Sequence, residues 1–331
     1  MDHPVKTMPS RRLRRYFMYL VLFSVLFLML LFPETAARGA LDGLLLWSKT
    51  LLPILLPFLI LSGLLINLHM TRPFELLLGP VFTHIFPIRA GACYPLFLGL
   101  LCGMPLGAKT TASLYRTGRI SERESMFLLG FSNQASMMFL VSYVATQQQS
   151  APHCALLVLL VLYSSAWLST TLFILPRKYG TRQEGKATPT GFLPDGAQRT
   201  AQGSNPPFFA ALDALIPESF ATITKVGGYV ILFSMLSAFT RKLPLSTPLS
   251  ALVCGLLEIT SGIQQISASA LPAAQKTALT LGVTAFGGFC GLMQTKSVTS
   301  GTGLSIHYYA FVKLMQGIFA YLLTRIIFTF I

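Results

Sequence analysis

Two apolar runs that break in their middle constrain this chain more than any other feature. Residues 98–119 read LGLLCGMPLGAKTTASLYRTGR, and residues 253–265 read VCGLLEITSGIQQ. Each begins as a membrane-type segment, stops at Gly and Pro or at Glu and Gly, and turns into Thr, Ser, Lys or Gln. Inside a bilayer every backbone N–H and C=O needs a partner within the protein. Irregular backbone is therefore tolerated only where it is buried in protein or lines a polar cavity. Two broken or re-entrant helices that meet near the bilayer centre are predicted, held in place by the rest of the chain.

The remaining composition agrees. Of 331 residues, 53% are hydrophobic and 11% charged, more apolar surface than a soluble domain of this length could cover. The formal charge of +14 is gathered in short clusters beside apolar runs, where cations orient a membrane protein. A nucleic-acid partner is not expected. Cys93, Cys102, Cys154, Cys254 and Cys290 lack CxxC spacing, and His3, His69, His84, His153 and His307 form no HExxH pattern. With no GxSxG elbow or Walker loop either, no enzyme activity, cofactor or metal is expected.

Lys6, Arg11, Arg12, Arg14 and Arg15 precede the apolar run 16–33, which predicts a first span with a cytoplasmic N-terminus. Residues 40–50 read as an amphipathic segment on the outer surface, and 51–68 as a second span kinked at Pro53 and Pro57. Residues 69–90 read as a surface-lying connector. Arg116, Arg119 and Arg123 then return the first broken run to the cytoplasmic side, making it re-entrant. Residues 126–144 and 154–175 form an out-and-back pair around the polar turn ATQQQSAPH, and 176–207 is a hydrophilic linker. After it the spans are 226–239, 278–293 and 304–331, seven in all, with an outer C-terminus.

The second half echoes the first. ALD at residues 40–42 recurs at 211–213. Gly107 and Gly262 keep the same separation as Phe131, heading FSNQASMMF, and Phe286, heading FGGFCGLMQ. The expected architecture is an all-α polytopic membrane protein of two inverted-topology repeats with broken, re-entrant helices. Arg241 and Lys242 fall on the outer side in that topology, against the charge rule.

The candidate site residues cluster at the breaks. Gly103, Pro105 and Gly107 interrupt the first run, and Lys109, Thr110 and Thr111 add a cation and two hydroxyls near a new helix start, a setting that favours an anion. In the second run Glu258 is the sole carboxylate from Ser219 to the C-terminus, followed by Thr260, Ser261, Gly262 and Gln265. Such a carboxylate either serves function or caps the break through backbone N–H groups. Ser132, Asn133, Gln134 and Ser136, and Gly287, Gly288, Gln294 and Lys296, place further polar or small groups mid-span. GTGLSIHYY, 301–309, caps the last helix, in which Lys313 is read as a snorkelling cation.

The motifs GMPLGAKTTASLYRTGRIS with FSNQAS, and GLLEITSG with FGGFCGLMQ, resemble the sporulation integral membrane protein family (YlbJ-like), whose halves are similar to the nucleoside-recognition or Gate domain. The chain departs from the family's usual motif at Met104 and Gln134. The resemblance covers about residues 40 to 330 and implies Gate-like repeats over 39–175 and 208–331, on either side of the linker and after the leading segment over 1–38. It also implies a bacterial cell membrane, or the outer forespore membrane, and a carrier for a small organic anion such as dipicolinic acid. A nucleoside-type transporter and a non-transporting assembly protein of the sporulation envelope are the alternatives.

Overall fold

The computed structural model describes residues 11–68, 70–148, 154–177 and 207–330. The first ten residues, His69, the end of the polar turn at 149–153 and nearly all of the expected linker lie outside the described residues. All regular structure among the described residues is helical.

Helix α1 (Arg11–Leu31) is basic at its start and apolar from Tyr16 onward. Helix α2 (Pro33–Asn67) runs unbroken for 35 residues. Helix α3 (Arg72–Ile85) turns through 103° into the segment ending in α4 (Cys93–Cys102). Helices α5 (Leu106–Arg116), α6 (Glu122–Phe131), α7 (Phe139–Gln148) and α8 (Ala155–Ile174) complete the first half. The second half holds α9 (Phe208–Thr240), α10 (Thr247–Leu257), α11 (Ile259–Ala268), α12 (Ala273–Phe286), α13 (Gly288–Val298) and α14 (Ile306–Phe330).

Five helical stretches among the described residues are long and apolar enough to cross a membrane: α2, α8, α9, α12 with α13, and α14. Counting the bent α3–α4 pair as one span makes six. The expectation of seven is not met at 126–144, which is divided between α6 and α7 by the irregular residues 132–136.

A further difference lies in α2. Residues 40–50 are not a separate surface segment, because the helix passes through them into 51–68. A wide turn at Trp47–Leu51, in which the Leu52 N–H reaches back to the Trp47 carbonyl, sits just before Pro53. Such a turn absorbs the donor that proline lacks without ending the helix. The same stretch packs on α9. A Cβ on Gly43 would lie 2.7 Å from the Ile231 Cα, the Trp47 indole donates to the Ile223 carbonyl at 2.8 Å, and Leu64 packs with Ala211 and Leu215. The two long helices are therefore antiparallel neighbours, the start of each against the end of the other.

Large apolar side chains cover the outside, including Leu76 and Leu77 of α3 and Leu314, Ile318 and Leu322 of α14. Polar residues such as Asn133, Gln134, Thr295 and Gln316 are inside. That inversion suits a protein whose solvent is lipid.

Candidate functional site at four helix breaks

Both broken runs fold back on themselves as helical hairpins. In α4–α5 the arms touch where a Cβ on Gly107 would stand 2.8 Å from the Gly99 Cα. In α10–α11 a Cβ on Gly262 would stand 2.1 Å from the Gly255 Cα. Only glycine permits backbones to approach so closely.

The tip of the first hairpin is Gly103, Met104 and Pro105. Gly103 has φ 69°, and a Cβ there would lie 2.5 Å from the Gln134 carbonyl oxygen. The Met104 N–H donates to that same carbonyl at 2.7 Å. This tip thus rests on the gap between α6 and α7. There Ser132 bonds back to the Leu128 carbonyl, and Ser136 accepts from the Phe139 N–H at the start of α7.

The tip of the second hairpin is Glu258. Its carboxylate accepts from the N–H groups of Thr260 at 2.9 Å and Ser261 at 2.8 Å and from the Thr260 hydroxyl at 2.5 Å, so it caps α11. It is buried and has no ion-pair partner among the described residues. The gap facing it is the left-handed turn Gly287–Gly288, with φ 84° and 68°. A Cβ on Gly288 would be 3.2 Å from the Leu257 carbonyl oxygen. Met104 of the first tip reaches the same gap, its sulfur 2.7 Å from where a Cβ on Gly291 would stand. Two hairpin tips and two interrupted helices therefore meet in one place.

The polar groups there bond mainly to one another. Asn133 donates to the Thr295 hydroxyl at 2.9 Å and to the Tyr309 hydroxyl at 2.8 Å, while its own amide oxygen is buried without a partner. The Gln134 amide oxygen accepts from Lys313 Nζ at 2.7 Å and its N–H group donates to Gln316 at 3.0 Å. Lys313 also donates to the Gln316 amide oxygen at 2.9 Å. It is fully buried, and no carboxylate lies within ion-pair distance of it among the described residues. An ionisable side chain at such depth costs at least about 2.5 to 3.5 kcal/mol on insertion scales. The expectation that Lys313 snorkels is corrected, because its side chain turns into the bundle.

Several candidate residues sit elsewhere. Lys109 pairs with Glu218 of α9 at 3.1 Å and donates to Thr222 at 3.1 Å, so its charge is already matched. Thr110 and Thr111 bond back to the Leu106 and Gly107 carbonyls within α5. Gln265 ties the arms of the second hairpin through Ser250 at 2.8 Å. Lys296 is exposed near the end of α13, and Gln294 donates to the Cys290 sulfur one turn earlier in that helix. Lys313, Gln316, Tyr309 and Thr295 are the site residues that sequence reasoning did not assign. The available signal was the Lys313 and Gln316 pair, three residues apart on one face in the apolar middle of the helix.

No protein-family model matches the chain, and no solved structure matches it. It is similar to the sporulation integral membrane protein YlbJ of Bacillus subtilis (strain 168), with 28% identity over 316 residues that cover 87% of this chain and 76% of that protein. By that similarity the chain is a homologue of that Bacillus subtilis sporulation integral membrane protein, and its helices make it an all-α, multi-pass membrane protein.

Proposed function

We propose that the protein is a carrier, not an enzyme, that moves a small organic anion, with dipicolinate as the candidate, by alternating access between two inverted repeats. The observation that carries this reading is the convergence of four helix discontinuities on one buried polar cluster. Irregular backbone at membrane depth is costly unless it is buried in protein or lines a polar cavity, and carriers of the inverted-repeat type place their substrate where interrupted helices meet. The antiparallel packing of α2 on α9, each carrying ALD in its N-terminal part, supports the repeat. A twofold axis in the membrane plane would set corresponding helices against each other in that way. The cytoplasmic N-terminus belongs to the same proposal.

The test is uptake of labelled dipicolinate by vesicles containing the purified protein and preloaded with unlabelled dipicolinate. Protein-dependent exchange, with labelled uridine left outside, is expected. Equal uptake by protein-free vesicles would overturn the carrier reading. Exchange of uridine in place of dipicolinate would favour the nucleoside alternative.

A further inference from the structure

We infer that Lys313 is the residue that binds the carboxylate of the anion, at a subsite closed in this structure by the tip of the α4–α5 hairpin. This rests on the carrier reading for its setting, but it concerns binding alone. An ammonium has three N–H donors. Two of them go to the amide oxygens of Gln134 and Gln316, and neither acceptor carries a charge. Glu258, the one carboxylate after Glu218, spends its oxygens on the cap of α11. A buried cation held by neutral dipoles is poised for an anionic partner, since charge-assisted pairs are the strong ones in a low dielectric.

A second observation points to the same place. The Asn133 amide is fully buried, and its oxygen has no partner. Turned over, the amide would accept from the Thr295 and Tyr309 hydroxyls and present its two N–H donors towards Gly107, so one end is unmatched in either orientation. The first hairpin covers both groups. Gly107 stands against Asn133, and Met104 shares the Gly287 notch with the Lys313 side chain, whose Cε is 3.7 Å from where a Gly287 Cβ would lie. Withdrawal of this tip uncovers a cation and the unmatched end of an amide together, a pairing suited to a carboxylate with a neighbouring polar group.

The experiment measures the melting temperature of the purified full-length protein against dipicolinate, benzoate and uridine, beside the vesicle exchange assay. For the wild type, dipicolinate and benzoate raise it and uridine does not. Lys313→Gln and Lys313→Met bind dipicolinate roughly tenfold to a hundredfold more weakly, the loss expected for a hydrogen bond to a charged group. Two variants are used because the apolar one relieves an unpaired buried charge and is expected to fold even if the polar one does not. An unchanged dipicolinate response in the variants, or no response of the wild type to any carboxylate, overturns the assignment. If the variants exchange dipicolinate with unaltered KM, the carrier reading stands and the Lys313 subsite falls. If binding needs Lys313 and nothing crosses the vesicles, the subsite stands and the carrier reading falls.

Discussion

Glu258 and Glu124 are both buried carboxylates at helix starts, and their surroundings give them different behaviour. Glu258 serves α11 alone, satisfying two of the N–H groups that every helix start leaves unpaired. Glu258→Ala is expected to lower stability by about 1 to 2 kcal/mol, whereas Glu258→Gln, which keeps one acceptor oxygen, loses less. Thermal unfolding of the two variants in detergent checks the order. Glu124 begins α6 in a capping box with Ser121 and also accepts from the Arg89 backbone and guanidinium, the nearest contacts being 2.8 Å. Burial alone would raise its carboxyl, but the hydrogen bonds from Arg89 and Ser121 outweigh it and hold the group down at about 2. A depressed carboxyl stabilises the fold above its unfolded value and loses that contribution as pH falls towards the folded one. The contribution is on the order of 2 kcal/mol, less than the full shift implies because Arg89 is 57% exposed and partly screened. The melting-temperature gap between wild type and Glu124→Gln should be constant above about pH 5 and close as pH falls towards 2; a gap that is independent of pH would contradict this.

The hairpins are set by glycine contacts between their own arms. Adding a methyl group at Gly262 would place it 2.1 Å from backbone, against 2.8 Å at Gly107. Backbone cannot yield as a side-chain end can, so Gly262→Ala is expected to cost more than Gly107→Ala, with both in the range of about 1 to 3 kcal/mol typical of overpacking. Comparison of the two melting temperatures tests this, and equal losses would mean that the second hairpin opens freely. Two of the breaks were legible in sequence, because Gly103 with Pro105 and Glu258 each stop a helix through chemistry confined to a few residues, whereas Gly287–Gly288 lay inside the expected span 278–293. The element boundaries were less legible. Residues 40–50 looked like a separate amphipathic segment, yet α2 runs through them and the wide turn before Pro53. FSNQAS looked like a polar patch in a continuous span, yet it separates α6 from α7.

For the whole molecule, composition and the spacing of apolar runs were sufficient for the membrane class, since no arrangement of these residues could keep so much apolar surface from water. The broken runs likewise announced irregular backbone that had to be buried. Which groups face one another was decided only by tertiary packing. Lys109 looked like the free cation and is matched by Glu218, more than a hundred residues away. Lys313 looked peripheral and lies at the meeting point of both halves, against Gln134. A helix stop depends on local propensity, capping and dihedral freedom, all carried by neighbours in sequence. The environment of a charge depends on which distant helix is folded against it, and no local pattern encodes that.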